Sequence, residues 1–185
     1  MNRFILDIDP VISAQYHNDK HVVKMILEEA QMLSTAHRVL DGTPTVVFSS
    51  SGRKSTQYVL NSNMNDVFYK ATHVNHPCNA WVRETSQNYQ WGYSLFVSLL
   101  SEYTYRYGKI HATENIAWAL KHQPRNIPSG PLTPFPQAMP DECKHSSDSV
   151  LAYQKYYVLH KNSIGHWTKR ETPQFFLNAK DCNVI

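Results

Sequence analysis

From Asp9 to Thr35 the chain reads DPVISAQYHNDKHVVKMILEEAQMLST, and its apolar positions recur at helical rather than strand spacing. Asp9 supplies an N-cap, Pro10 sits in the first turn where a missing N–H costs nothing, and no further Pro or Gly occurs before Gly42. The pattern predicts one long helix that passes Arg38 and stops at the DGTP turn. On a wheel of about 100° per residue, His17, His21, Lys24, Glu28, Gln31 and Thr35 form one narrow polar row. Val22, Met25, Ile26, Leu33 and their neighbours cover most of the remaining circumference, so the helix should be largely buried with a polar slot left open. Before the Asp9 cap, Phe4, Ile5, Leu6 and Ile8 form a short strand-like lead-in that packs on this helix.

Asn75, His76 and Pro77 announce a second long helix, expected from Pro77 to Tyr107 and ended by Gly108. Arg83, Gln87, Gln90, Ser94, Ser98 and Ser101 make its wet face, which leaves Glu84 and Asn88 off that face beside Trp81 and Leu95. Between the two helices, residues 43–63 mix a β-branched run with SSSGRKST and read as a long functional loop. Arg53 and Lys54 stand there among hydroxyls, suited to phosphate oxygens. A shorter helix follows Thr113, from Glu114 to about His122. Six prolines between Pro124 and Pro140 then exclude regular structure. That stretch also carries Leu132, Phe135 and Met139, so it should lie across the body rather than swing free. A last helix is expected over residues 148–162, capped by Ser146 or Ser147, and the tail gathers Trp167, Lys169 and Arg170. The fold class is thus mainly α: a single domain, residues 1–185, built on two long packed helices with shorter C-terminal helices and long proline-rich loops.

A chain of 185 residues with 42% hydrophobic positions is large enough for one substantial core. The formal charge of +3 leans toward an anionic partner without requiring one, and 11 Tyr with 4 Trp supply rings that stack on bases or fill a core. Cys78, Cys143 and Cys182 are too few and too far apart for a disulfide framework or a CxxC knuckle, which fits a reducing cytoplasm. The start MNRFILDIDP lacks a secretory signal, and no apolar run reaches the length of a membrane span, so a cytoplasmic location is expected.

Two chemistries fit the polar row. His17 and His21, four apart, could be joined by His73, His76 or His111 in a metal-dependent hydrolase, although Lys24 opposes a cation there. Alternatively, Lys24 with Glu28 one turn on offers an amine and a carboxylate within reach of two imidazoles, a set for proton transfer and attack at a sugar or carbonyl carbon. A thin wet edge on a packed helix accounts for the same residues without chemistry.

The stretches MNRFILDIDPVISAQYHNDKHVVKM and NHPCNAWVRETSQNYQWGYSLFVSLLSEYTYRYGK resemble the pyrimidine dimer DNA glycosylases of the phage endonuclease V type over about half of the chain. The proline-rich LTPFPQAMPDECKH segment and the WTKR tail resemble uncharacterised proteins of tailed phages. The resemblance implies a mostly helical domain that grips duplex DNA, displaces a base and cleaves an N-glycosidic bond with the N-terminal amine and a first-helix carboxylate. That carboxylate maps loosely to Glu28. With Asn2 following Met1 the amine would be that of Met1, with Lys24 or Lys20 as substitutes. The same scaffold could also transfer a group to modified bases.

The expected function is therefore a DNA-acting enzyme for base removal or base modification, with DNA or nucleotide as partner and no cofactor or bound metal. His17, His21, Lys24, Glu28 and Glu84 are the candidate catalytic residues. His76, Asn88, Arg53, Lys54, Trp167, Lys169 and Arg170 are the candidate substrate contacts. A non-catalytic DNA-binding or host-interaction module is the competing reading.

Overall fold

The computed structural model describes residues 1–181, with side chains described through Asn178. The fold is mainly helical with one two-stranded sheet. Helix α1 spans Pro10–Tyr16, and the Asp9 carboxylate accepts the Val11 N–H at 2.7 Å as its cap. The long first helix expected from the pattern is in fact two. His17 turns extended, Asn18 accepts the His21 N–H at 2.9 Å, and α2 starts afresh over Asp19–Asp41. Asn18-Asp19 is a second N-cap signal inside an uninterrupted apolar period. The bend it permits brings the Asp19 carboxylate to Arg106 at 2.9 Å, to the Thr168 hydroxyl at 2.7 Å and to His166 at 2.7 Å.

The second long helix divides in the same way. A short α3 (Met64–Val67) precedes it; α4 then covers Pro77–Val82, and α5 covers Ser86–Tyr107 and ends at Gly108 in the left-handed conformation with φ of 64°. Thr85 makes the break, since its hydroxyl oxygen accepts the Asn88 N–H at 3.2 Å and donates to the Pro131 carbonyl at 2.9 Å. Residues 43–63 are no irregular loop but mostly a hairpin. Strand β1 (Thr43–Phe48) pairs antiparallel with β2 (Lys54–Val59), Thr43 opposite Val59 and Phe48 opposite Lys54, with Gly52 at φ of 77° in the turn. Its β-branched residues favour this pairing, and the Ser/Gly patch supplies the turn. Arg38, buried at the last turn of α2, ties the helix end to the hairpin and to α3. Its guanidinium donates to the carbonyls of Tyr58, Asn65, Phe68 and Tyr69.

After Gly108 a 3₁₀ turn (Ala112–Ile116) leads into the short α6 (Ala117–Leu120). Residues 124–140 then wrap the body as an ordered strap. Phe135 lies against Trp81 and Trp91 with ring centroids 5.2 and 4.8 Å away, and the Tyr153 hydroxyl donates to the Pro136 carbonyl at 2.8 Å. Helix α7 spans Ser149–His160, and Asp148 rather than Ser146 or Ser147 caps it, accepting from the N–H groups of Val150 and Leu151. Helix α8 spans Gln174–Asp181.

Helix α2 packs on α5 and α4, and α1 crosses α5. Met25, Ile26 and Leu33 from α2 and Leu95, Phe96 and Leu99 from α5 are buried, as are Phe4, Ile5 and Leu6, while Ile8 is exposed. The lead-in segment carries the least expected core feature. Arg3 is wholly buried, forms a bidentate pair with the buried Glu29 and lies 5.1 Å from the centroid of Trp81. Gly92 lets α5 approach this guanidinium, because a Cβ there would stand 2.8 Å from Arg3 Nη2 and 3.1 Å from Val82. With Arg3 pinned by Glu29 it cannot yield freely. Gly92→Ala is expected to cost about 1–3 kcal/mol in a urea titration followed by circular dichroism; an unchanged midpoint would mean that the guanidinium can move aside.

Among the described residues no helix is long and apolar enough to cross a membrane. Cys78 and Cys143 are free and buried; Cys182 lies outside the described residues.

Candidate functional site

The break at Asn18 takes His17 off the helix that carries the rest of the polar row. His17, on the non-helical side of the break, is fully buried with its Nδ1 donating to the Ser13 carbonyl at 2.7 Å. His21 lies beneath Phe4, ring stacked on ring at 4.4 Å, with its Nδ1 2.5 Å from the buried Tyr157 hydroxyl. Burial, chiefly, lowers the pKa of His17 to about 4 and that of His21 to about 3, and both are neutral parts of the core at pH 7. Nor do they meet His73, His76 or His111 as metal ligands. Among the described residues the one His/Cys/Asp/Glu group with ligand spacing is Glu142, Cys143 and His160.

One turn further on, Glu28 becomes the centre of a different cluster, formed where the N-terminal segment runs beside α2. Its side chain is 11% exposed. Oε2 accepts the Asn2 N–H at 2.7 Å and lies 3.9 Å from the Met1 α-amine, while Oε1 lies 3.2 Å from Lys24 Nζ. The Lys24 side chain is 66% exposed, so this edge of α2 opens to water. Asn2 is held in turn by its Nδ2, which donates to the Ala138 carbonyl of the strap at 3.0 Å.

The turn before α4 closes the other side. Asn79 Nδ2 donates to the Thr72 carbonyl at 2.7 Å and lies 3.6 Å from Met1 Sδ. His76 caps α4, its Nδ1 accepting the Cys78 N–H at 3.3 Å, so that the proton of the neutral ring is on Nε2. Burial, then the positive N-terminus and His73, lower the His76 pKa, with Glu28 pulling the other way. Those mutual influences place the amine, both imidazoles and the carboxylate within one electrostatic neighbourhood. His73 adopts φ of 46°, a left-handed conformation that is uncommon outside glycine and clusters at functional sites.

Of the residues singled out from the sequence, Lys24 and Glu28 thus come together, joined by Met1 and Asn2, with Asn79 touching Met1 and His76 capping α4 beyond it. The others lie elsewhere. Glu84, expected off the wet face of a continuous helix, is exposed and accepts from the Thr133 hydroxyl at 3.1 Å, because it follows the end of α4 rather than sitting inside a helix. Asn88 is buried and bonds the Trp81 carbonyl and Thr133, which anchors the strap. Trp167 is buried and donates to the Tyr16 carbonyl at 2.9 Å. Lys169 Nζ donates to the Tyr105 carbonyl, and Arg170 pairs with Glu102, so these cations fasten the tail to α5. Arg53 and Lys54 are exposed at the end of the hairpin. Cavities of about 470, 520 and 530 Å³ lie around the hairpin base, beside α6 and along the outer face of α5. None of the three is lined by His17, His21, Lys24 or Glu28.

Asn2 and Asn79 are invisible to periodicity because nothing in their spacing joins them to α2. The one local signal is the short length of chain between the N-terminus and the Asp9 cap. Comparison of the chain with protein-family models, curated proteins and solved structures gave no match.

Proposed function

We propose that this chain is a DNA-acting enzyme that removes or modifies a base, folded as one domain on α2 and α5, with Glu28 as its central carboxylate. One observation carries the reading: a nearly buried carboxylate, on an edge open to water, lies within 4 Å of two primary amines, Lys24 Nζ at 3.2 Å and the Met1 α-amine at 3.9 Å. An unprotonated amine attacking C1′ of a target nucleotide forms an N–C bond as the N-glycosidic bond breaks. The base leaves with the bonding pair and is protonated by water. One amine proton passes through Glu28 to the ring oxygen, which opens the sugar, and the second neutralises the hydroxide left when water protonates the base, leaving an imine. In this reading His76 Nε2 offers a neutral donor to the substrate, and Arg53 and Lys54 neutralise phosphates.

The test uses duplex oligonucleotides carrying damaged or modified bases. Base release, or a mass change in the oligonucleotide, is expected from the native protein, and Glu28→Gln should lower its rate by about 10²–10⁴-fold. Borohydride should trap a covalent adduct, and peptide mapping identifies whether Met1 or Lys24 carries it. Undiminished turnover in Glu28→Gln would remove the carboxylate from the chemistry. The exposed hairpin bearing Arg53 and Lys54 favours a second reading, a DNA-binding module without catalysis. Salt-sensitive binding with no base release or mass change, unaltered by Glu28→Gln, would assign it.

A further inference from the structure

Away from Glu28, the end of the strap meets the end of α7. A 3₁₀ turn over Asp141–Cys143 follows Pro140, and the Pro140 carbonyl accepts the Cys143 N–H at 3.0 Å, which fixes the cysteine backbone. From α7, His160 reaches the same place, with Nε2 at 3.1 Å from Glu142 Oε1 and its ring packed on Tyr156 at 5.3 Å. One ligand atom each from Glu142, Cys143 and His160 lies within 4.8 Å of the other two. Cys143 is buried, whereas Glu142 and His160 are exposed.

We propose that Glu142, Cys143 and His160 form a binding site for a divalent ion of the zinc class, with the fourth position left to water. The donor set decides the class. A sulfur, an imidazole nitrogen and one carboxylate suit zinc and disfavour magnesium or calcium, which want oxygen. Tetrahedral zinc with ligands at about 2.0–2.3 Å sets ligand atoms roughly 3.2–3.8 Å apart. The 3.1 Å between His160 and Glu142 already meets that spacing, and no ligand atom of the three is more than 4.8 Å from another, about 1 Å beyond it.

Burial and the nearby Glu142 charge raise the Cys143 pKa, with Lys155 acting in the opposite direction. On binding, the S–H bond breaks, a metal–sulfur bond forms and the proton passes to solvent. An ion here fastens the strap to α7 only a few residues from Ala138, whose carbonyl holds Asn2.

Zinc chloride titrated calorimetrically into the EDTA-stripped, full-length protein should bind one to one. Cobalt(II) in its place should give a thiolate-to-metal absorption band in the near ultraviolet. Cys143→Ser should abolish that band. Glu142→Gln and His160→Gln, at exposed positions that leave the core intact, should each weaken zinc binding by about ten-fold or more. Absence of the band in the native protein overturns the proposal. So does zinc affinity unchanged in both exposed-site variants, which would place the ion on other histidines. Neither result bears on base removal at Glu28, which is read by a separate assay.

Discussion

Arg3→Ala is expected to lower the free energy of unfolding by about 3–5 kcal/mol, a large share of the stability of a domain this size. The arginine side chain is wholly buried with Nε at 2.8 and 3.0 Å from the two carboxylate oxygens of Glu29, and its guanidinium lies over Trp81 and Trp91. Burial works against its charge, and the Glu29 charge and hydrogen bonds more than offset this, so its pKa is raised. Removing the arginine leaves Glu29 charged and alone in the core, or forces it to take up a proton. Changing both residues together, Arg3→Met with Glu29→Leu, removes the orphan and should recover most of the loss. Urea denaturation of the three proteins distinguishes the outcomes. A single-variant loss under about 1 kcal/mol would mean that water reaches the pair. The same substitution should impair any activity of Glu28, because Asn2, the residue bonded to Glu28, directly precedes Arg3.

Acidification should unfold the protein between about pH 6.5 and pH 4, before its most strongly held carboxylate is touched. His17 and His37 have pKa values lowered to about 4 and His21 to about 3, each mainly by burial. The folded state therefore keeps them neutral while the unfolded chain takes up protons below about pH 6.5. Their contribution is fully present above that pH and drains away as pH falls toward about 4. At about 1.4 kcal/mol per unit, each is worth on the order of 3 kcal/mol, and three together rival the whole stability of a domain. Asp19 behaves in the opposite manner. Despite partial burial, bonds from His166, Thr168 and Arg106 lower its pKa to about 2, so its contribution persists until pH falls below 3.8. Tryptophan fluorescence against pH should show the transition in the histidine window. His37→Gln, which can retain a bond to the Tyr89 hydroxyl now 2.9 Å away, should move the midpoint to lower pH. A native signal held unchanged down to about pH 4 would show that the imidazoles are solvated.

Periodicity identifies the helical class, the stop at Gly108 and the wrapped proline-rich strap, because those follow from local backbone rules and from gross hydrophobicity. It passes over the breaks at Asn18 and Thr85. Both are caps embedded in a continuing apolar period, and the partners that select the break, Thr168 for Asp19 and Pro131 for Thr85, lie far along the chain. With the first break unseen, a helical wheel joins His17 to the α2 residues His21, Lys24 and Glu28, and it cannot show that Phe4 and Tyr157 cover His21. In the structure both histidines serve the core around Phe4 and Tyr157. Glu28 is legible as a candidate, and its neighbours are not, since Asn2, Ala138 and Asn79 reach it only through the fold.

The earliest part of the chain is secured by its latest. Asn2 is bonded to Ala138, the Leu6 carbonyl to Gln154, Tyr16 to Trp167, and His21 to Tyr157. During synthesis, residues 2–21 therefore leave the ribosome well over a hundred residues ahead of the partners that lock them, and such long-range closures come late and slowly. The Asn2 contact to the strap is consequently made only after Ala138 has emerged, whereas the Lys24–Glu28 pair, one turn apart on α2, forms with the helix. A product that stops short of Ala138 would carry Asn2 and Glu28 without the strap contact that holds Asn2.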